Sequence, residues 1–213
     1  MIKTIIFISL ITSLTFSQGM YLEQDAFSIS GNYSSESKKE YYESDFIGEI
    51  TYTFAGKIDL LYGWTSNKID FKEGYFYDIT SDGMLVGGRY YLRDLPFDLG
   101  ITGKYSFGGT NSDQLDNLGI NTSWNNFHLS INIFDNIIIN ESFSIVPFLK
   151  FGTYQIKTKI EDSLTTLKDT DSIEEISLGV GLKFYKIIVL EPKFIRKENI
   201  DYFRLGLSLI IPK

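Results

Sequence analysis

Apolar and polar side chains alternate with a period of two along much of this chain, most clearly at its end. The last eleven residues read FRLGLSLIIPK. Successive side chains of a β-strand point to opposite faces, so this stretch predicts a strand with one apolar face. The apolar positions are Phe203, Leu205, Leu207, Leu209 and Ile211, and the opposing positions are Arg204, Gly206 and Ser208.

The same period recurs throughout the chain, whereas helical periodicity is nearly absent. We therefore predict an all-β fold built from about ten strands, with eight as the alternative count. The predicted strands are 25–35, 44–54, 57–66, 83–93, 97–108, 126–139, 143–157, 174–185, 187–195 and 201–211.

Strand lengths and connection lengths both indicate an up-and-down antiparallel transmembrane β-barrel. Most predicted strands are longer than the ~5–6 residues usual in soluble proteins, and they suit the ~9–11 residues that a tilted strand needs to cross a bilayer. Short and long connections alternate, as in barrels with short periplasmic turns and longer outer loops. The short turns are predicted at Ala55–Gly56, Arg93–Pro96, Asn140–Ser142 and Tyr185–Lys186, and the other connections at 36–43, 67–82, 109–125, 158–173 and 196–200.

Glycine and aromatic residues indicate which face meets lipid. Glycine weakens a strand, so a face rich in glycine is expected where the interior of a small barrel is crowded. Aromatic residues at strand ends are typical of the girdles at membrane interfaces. We therefore expect the apolar face to point outward. The polar-face glycines are Gly63, Gly87, Gly100, Gly152, Gly179, Gly181 and Gly206, and the aromatic residues are Phe54, Trp64, Phe97, Phe107, Phe127, Phe143 and Phe184.

Three residues do not fit a regular barrel. Pro147 and Pro192 fall within predicted strands, where each removes a backbone donor from the ladder. We expect a bulge or a locally open register at each of them. Strict alternation also places Asp135 on the lipid face, which predicts a bulge between Phe134 and Asn136 or a position at the interface.

The N-terminus resembles a secretory signal peptide. Lys3 supplies a positive start, residues 5–16 are almost wholly apolar, and Thr15 and Ser17 stand at the −3 and −1 positions of a cut before Gln18. The apolar run is too short to span the ~30 Å of a bilayer. The predicted organisation is a signal peptide at 1–17 followed by one outer-membrane barrel domain at 18–213.

Composition excludes several classes of function. The net charge of −7 argues against a general nucleic-acid binder, which carries a basic excess. The absence of cysteine excludes a disulfide scaffold, a cysteine-ligated metal site and a lipid-modified N-terminal cysteine. No cofactor is expected, and no metal site is predicted: 161–171 is acidic but lacks the ligand spacing of an EF-hand.

These features together resemble the bacterial outer-membrane β-barrel proteins, in particular the small porin-like and OmpA- or OmpX-like barrels. The likeness rests on the signal peptide, on glycine-containing alternating strands such as LVGGRYYL and LGVGLKFY, and on a strand that ends the chain. It implies an outer-membrane location, contact with lipid and lipopolysaccharide, and recognition by the barrel-assembly machinery through 201–211, in a chain that we expect to act as a monomer. Family members commonly end in an aromatic residue, whereas this chain ends in Ile211-Pro212-Lys213; we expect Ile211 or Phe203 to serve instead.

One pair of residues suggests an enzyme. His128 is the only histidine, and Ser130 lies two residues on. A His-x-Ser pair resembles the motif of outer-membrane lipid A deacylases, in which the histidine activates the serine. Glu141 is predicted at the opposite, periplasmic end of the strand, too far away to complete a triad. The flanking residues place His128 and Ser130 on the lumen side, near the outer rim, rather than at the bilayer. No catalysis is therefore predicted; the deacylase-like esterase is the weaker alternative.

Charged residues are predicted to line the lumen, where two interpretations remain open. They could line a narrow polar pore, or they could form charge pairs that fill a barrel too small to conduct, as expected near eight strands. We favour the filled barrel. A structural or narrow-channel protein, a scaffold for binding by loops such as 71–78, and a soluble periplasmic lipocalin-like carrier all remain candidates. The predicted lumen charges are Glu49, Asp59, Arg89, Asp98, Lys104, Lys150, Lys183, Glu191, Lys193 and Arg204.

Overall fold

Strands make up almost all of the computed structural model, which describes residue 21 and residues 23–37, 41–72, 79–93, 95–162, 165–197 and 200–213. Within these described residues, one five-residue helix, α1 (Asp113–Asn117), interrupts the strands. The strands are β1 (Ala26–Ser37), β2 (Tyr41–Phe54), β3 (Ile58–Phe71), β4 (Ile79–Leu92), β5 (Asp98–Asn111), β6 (Asn121–Phe134), β7 (Ile137–Asn140), β8 (Phe143–Glu161), β9 (Thr166–Phe184), β10 (Ile188–Lys197) and β11 (Ile200–Pro212).

Ten of these strands form a closed antiparallel barrel. Each strand pairs with its neighbour in sequence, β1 pairs with β11, and β6 pairs directly with β8. The short β7 lies outside this ring and pairs only with β8. The predicted count of ten is therefore confirmed, and the alternative of eight strands is wrong.

The short connections gather at one end of the barrel, which we call the turn end. Ala55 and Gly56 both have positive φ angles, and the amide of Lys57 donates to the carbonyl of Phe54 at 2.8 Å. Tyr185 and Lys186 repeat this geometry, with the amide of Ile187 donating to Phe184 at 3.0 Å. Two positive φ angles match the twist of a two-residue hairpin, so these turns fix the register of the strands that they join. The other end of the barrel is the loop end.

The apolar face of the strands points outward. In β11 the apolar positions from Phe203 to Ile211 are all exposed, whereas Arg204, Gly206 and Ser208 are buried. The same division holds in β2, where Phe46 is exposed and Glu49 is completely buried. A barrel that carried these residues in water would expose a continuous apolar surface, which soluble monomers rarely do. This arrangement is the reverse of a lipocalin-like carrier.

The strands are longer at the loop end than the sequence pattern predicted. β3 continues to Phe71 rather than 66, β4 begins at Ile79 rather than 83, and β9 begins at Thr166 rather than 174. These extra residues are mostly polar, so they carry no continuous apolar face. The alternation therefore fades although the hydrogen-bonded ladder continues.

The predicted sixth strand, 126–139, is wrong at both ends. β6 runs from Asn121 to Phe134, the chain leaves the strand at Asp135 and Asn136, and a separate β7 follows. The break falls where the sequence predicted a bulge. Asp135 is exposed there, and its amide donates to the carbonyl of Pro147 at 3.3 Å.

The two prolines lie in β8 and β10, on either side of β9. Pro147 keeps a regular pairing with Val180 of β9. On the other side of β8, Pro147 faces the interruption between β6 and β7. At Pro192 the pairing of β10 with β9 stops after Leu190 and resumes at Lys193 in the same register. The local opening expected at Pro192 is present, but there is no register shift in this stretch.

The predicted signal peptide at 1–17 lies outside the described residues. Within the part of the chain that the structure describes, no helix has the length and the apolar character needed to span a membrane.

Candidate functional site

The interior of the barrel holds an unusual density of charge. Among the described residues, six carboxylates and seven cationic side chains are buried there. Burying an unpaired charge is very unfavourable, so the way in which these groups pair defines what the interior can do. They are Glu43, Asp45, Glu49, Asp59, Glu175 and Glu191, with Arg89, Lys104, Lys150, Lys183, Lys193, Lys197 and Arg204.

The first ion cluster is centred on Glu49 of β2. Its carboxylate accepts from Arg89 at 3.0 Å and from Lys104 at 3.3 Å, so β2, β4 and β5 are tied together. Arg89 also reaches Asp59 of β3 at 3.4 Å. The hydroxyl of Tyr91 donates to Asp59 at 2.6 Å. Two carboxylates and two cations thus form one network across four consecutive strands.

The second ion cluster is centred on Glu175 of β9, on another part of the wall. Lys150 approaches this carboxylate at 3.2 Å and Lys197 at 3.7 Å, from the strands on either side. The hydroxyl of Tyr154 donates to it at 2.9 Å, as does that of Ser177. Lys197 also lies over the ring of Tyr154, at 4.5 Å from its centroid.

A third group lies closer to the loop end, where β1, β2, β3 and β11 meet. Arg204 of β11 approaches Asp45 of β2 at 3.5 Å and donates to the hydroxyl of Ser34 at 3.3 Å. The side-chain amide of Asn67 donates to Asp45 at 2.6 Å and to Glu43 at 3.0 Å. This group connects the first strand of the barrel to the last.

Tyr21, from the segment before β1, fills the turn end of the interior. Its hydroxyl donates to Glu191, and its carbonyl accepts from Lys183 at 2.7 Å. Glu191 also pairs with Lys193 at 2.9 Å. Tyr21 is only 1 % exposed. Gly181 leaves the space for its ring, because a Cβ there would collide with it.

Buried apolar side chains pack against this charged region in three clusters. At the turn end, Tyr21 packs in a cluster with Tyr91, Phe134, Phe148 and other buried residues. At the loop end, Trp124, Tyr154 and Ile195 belong to a second cluster, and a third contains Tyr41, Ile69 and Ile79. The indole N–H of Trp124 donates to the hydroxyl of Ser81 at 2.9 Å, which fixes this ring along the wall, over Gly108 of β5 and Gly83 of β4. An apolar cluster thus covers the charged region at the turn end, and two more pack among the charges toward the loop end.

All ten charged residues assigned to the lumen by the sequence point into the barrel or its mouth. Nine of them are buried: Glu49, Asp59, Arg89, Lys104, Lys150, Lys183, Glu191, Lys193 and Arg204. Asp98 is half-buried at the turn end, where it pairs with Arg93 at 2.5 Å.

Sequence reasoning missed four charges of the interior: Glu43, Asp45, Glu175 and Lys197. Asp45 lies on the same face of its strand as Glu49, and Glu175 lies on the same face as Ser177. Strict alternation could therefore have found both residues. Glu43 and Lys197 lay beyond the predicted ends of their strands, where no pattern marked the strand as continuing. The missed residues supply the centre of the second ion cluster and the acidic side of the third.

His128 and Ser130 lie inside the barrel, in the middle of β6. Both are at most 2 % exposed. This corrects the expected position of His128 near the outer rim, which followed from placing the start of the strand too late. The imidazole stacks on Tyr154, with ring centroids 4.2 Å apart. Neither ring nitrogen of His128 has a hydrogen-bond partner, and the hydroxyl of Ser130 has none either. The two side chains are therefore not hydrogen-bonded to each other. Glu141 is exposed at the turn end.

The outer surface divides into an apolar belt and a polar rim. Phe54 and Phe184 lie at strand ends beside the turns, whereas Trp64, Phe107 and Phe127 lie within strands that continue toward the loop end. The apolar stretch of β2 runs from Phe46 to Phe54, a length of about nine residues. This length falls within the ~9–11 residues that a tilted strand needs to cross a bilayer. Beyond this belt the outward positions of β9 are Thr166, Lys168, Thr170, Ser172 and Glu174.

The two candidate loop surfaces have different outcomes. Residues 73–78 of the segment 71–78 lie outside the described residues. Residues 166–171 of the acidic segment 161–171 belong to β9, so they are strand rather than loop. The hairpin of β10 and β11 carries an exposed pair, Arg196 with Asp201 at 2.6 Å; this hydrogen bond lowers the pKa of the Asp201 carboxyl. Across the described part of the chain, no three His, Asp or Glu side chains are grouped as metal ligands.

Comparison with known proteins supports the fold. No family model and no curated protein matches the chain. Among solved structures, the β domain of the Bordetella autotransporter BrkA is similar with a TM-score of 0.52 at 10 % identity, over 89 % of this chain and 100 % of that one. The transport unit of the autotransporter AIDA-I from Escherichia coli has a TM-score of 0.45 at 12 % identity, over 99 % and 96 %. Ail from Yersinia pestis has a TM-score of 0.39 at 12 % identity, over 89 % and 98 %. The likeness to the BrkA domain supports the closed antiparallel barrel fold that the strand pairing gives for this chain.

Proposed function

We propose that this protein is a non-enzymatic barrel of the bacterial outer membrane. Its filled interior does not conduct, and its strands hold a polar rim above the lipid. The observation that carries the proposal is an interior in which the charged side chains are buried, paired across strands and packed against apolar clusters. Tyr21 and Trp124 stand at the two ends of the path that a solute would take. A narrow channel is less well supported, because its polar wall would need to face water.

The extended strands at the loop end support a role in presenting surface. The outward side chains above Trp64, Phe107 and Phe127 are mostly polar, and the hairpin of β8 and β9 rises furthest, with two strands of 19 residues. A wall that continues beyond the lipid gives loops and strand edges a rigid support. We propose that contacts with lipopolysaccharide occur around this rim.

An esterase acting on lipid A is the weaker candidate. His128 and Ser130 are separated from the bilayer by the barrel wall, and the imidazole stacks on Tyr154 instead of holding the serine hydroxyl. A general base must come within ~2.6–3.2 Å of the proton that it removes. Mass spectrometry of lipid A from cells that make the wild type or Ser130→Ala tests this candidate. We expect identical acylation; a difference would restore the enzyme.

Assembly of the barrel is proposed to begin at β11. It closes the ring by pairing with β1 from Ala26–Pro212 to Tyr33–Leu205. Pro212 is the last residue of the strand, where a missing backbone donor disturbs little of the ladder. Deletion of 203–211 should abolish membrane insertion. Normal insertion of the deletion would exclude this strand as the recognition element.

The central experiment is single-channel recording in planar bilayers. The refolded protein should give no steady openings at moderate voltage, whereas a general porin recorded in the same bilayer provides the positive control. A variant that lacks both end residues, Tyr21→Ala with Trp124→Ala, should conduct more than the wild type. Steady ohmic openings of the wild type would contradict the proposal and favour a narrow channel.

A further inference from the structure

A patch of polar side chains on β5, β6 and β8 lies between the first and second ion clusters. Register places Thr102, Ser130 and Gly152 side by side on these three strands. One step toward the loop end, Lys104, His128 and Tyr154 form the next row. One step toward the turn end, Asn132 pairs with Lys150. All of these residues lie on the inward face, with Ser130 at the centre of the patch.

The donors of this patch have no partners. The hydroxyls of Thr102 and Ser130 and both ring nitrogens of His128 make no hydrogen bond, although each of the three residues is at most 2 % exposed. A buried polar group without a partner keeps its whole desolvation penalty. Three adjacent residues in this condition indicate a site where something small is bound.

The charges beside the patch are positive. Lys104 and Lys150 stand diagonally on either side of Ser130, each with its ammonium engaged by a carboxylate on the far side. Lys150 shares Glu175 with a second cation, Lys197. Over the described interior as a whole, seven buried cations stand against six buried carboxylates.

The size of the site limits the ligand. A Cβ on Gly152 would lie 2.9 Å from Nε2 of His128 and 3.1 Å from Cβ of Ser130. Glycine is therefore needed at this point of the wall so that His128 and Ser130 can pack against it, and the patch is tight. Hydroxyl and imidazole N–H donors beside ammonium groups select an anion, and the limited room favours a single atom over a phosphate or a carboxylate.

We propose that Thr102, Ser130 and His128 bind one halide ion, chloride under ordinary conditions, which supplies the missing negative charge inside the barrel. The ion is a structural component of the filled interior. It saturates hydroxyl and imidazole donors and reduces the repulsion between Lys104 and Lys150. This role differs from the catalytic one that the His-x-Ser spacing suggested, and it uses the same two residues.

Equilibrium unfolding measures the binding. A ligand that binds only the folded state stabilises it in proportion to the logarithm of its concentration above Kd. We expect the urea midpoint of the refolded barrel in liposomes to rise when chloride replaces gluconate at constant ionic strength. The rise should disappear in Ser130→Ala and in Thr102→Val.

Ser208→Ala provides the matched control, because Ser208 is also buried, inward-facing and without a partner, but lies on β11. It should keep the full dependence on chloride. Crystals grown in bromide should show one anomalous peak beside Ser130 and Thr102. A midpoint independent of chloride, a dependence that survives both patch variants, or water alone at the patch in bromide crystals would each overturn the proposal.

Discussion

The outer surface and the interior of this barrel are built on opposite principles. The outer belt consists of separate apolar side chains that are exposed on the outside of the barrel. The interior consists of groups that depend on one another: Glu49 holds Arg89 and Lys104, and Glu175 holds Lys150 and Lys197. On the outside, any apolar side chain of suitable size serves. On the inside, the identity of each partner matters.

This difference explains where substitutions should be tolerated. Lipid accepts many apolar shapes, because it has no fixed packing of its own. A buried charge without its partner retains its whole desolvation penalty, so one substitution affects several strands. The stability of this fold should thus depend on the identity of a few interior residues. For the belt it should depend only on how apolar the side chains are on average.

The largest effect should come from removing the centre of the first ion cluster. Glu49→Ala leaves Arg89 and Lys104 facing each other without the shared carboxylate, and breaking a buried pair typically costs about 3–5 kcal/mol. Urea unfolding of the refolded barrel in liposomes measures the loss. Asp201→Ala, which breaks the exposed pair with Arg196, is the control and should leave the midpoint unchanged. Equal effects of the two variants would remove the distinction between interior and surface.

A charge placed in the belt should come next. Leu207 is exposed near the middle of β11, and Leu207→Arg should destabilise the barrel by about 2–4 kcal/mol if this position lies at the bilayer midplane. Thr170 is exposed on the part of β9 that projects beyond the belt. Thr170→Arg should therefore leave the stability unchanged. The comparison would fail if both variants unfolded at the same urea concentration as the wild type.

The smallest effect comes from adding one methyl group to either face. A Cβ on inward-facing Gly87 would lie 2.6 Å from the carbonyl oxygen of Gly103, whereas a Cβ on outward-facing Gly103 would meet nothing within 4 Å. Gly87→Ala should cost about 1–3 kcal/mol by overpacking. Gly103→Ala should be neutral or stabilising by up to about 1 kcal/mol, because alanine restricts the unfolded chain. The opposite order would contradict the crowded interior.

The belt was predictable from the sequence, since an apolar face in contact with lipid leaves a direct two-residue pattern. The direction of that face followed from the glycines: Gly63, Gly87 and Gly152 each lie against neighbouring atoms in the interior, as the crowding argument expected. Where the strands enter water at the loop end, the pattern stops while the backbone ladder continues. The ends of β4 and β9 were consequently predicted about four and eight residues too short.

The interior was predictable as a set of positions but not as a network. Alternation places Glu49 and Arg89 inside, yet pairing across β2, β3 and β4 depends on side-chain reach and barrel curvature, which the sequence does not record. Tyr21 had no strand pattern at all, because it lies before β1 and enters the barrel mouth as a separate segment. The hairpin at Tyr185–Lys186 was placed by its flanking strands alone, since neither residue commonly adopts a positive φ.

The most direct test of the account is the environment of alternate residues along β11. The natural chain has no cysteine, so single cysteines at 203–209 can each be labelled with a small environment-sensitive fluorophore before refolding into liposomes. Brominated lipids should quench the labels at 203, 205, 207 and 209 strongly, and those at 204, 206 and 208 weakly, although a bulky label at these inward positions should also lower the folding yield. Strong quenching at the even positions, or equal quenching at all seven, would contradict a barrel that turns its apolar face to lipid and its charges inward.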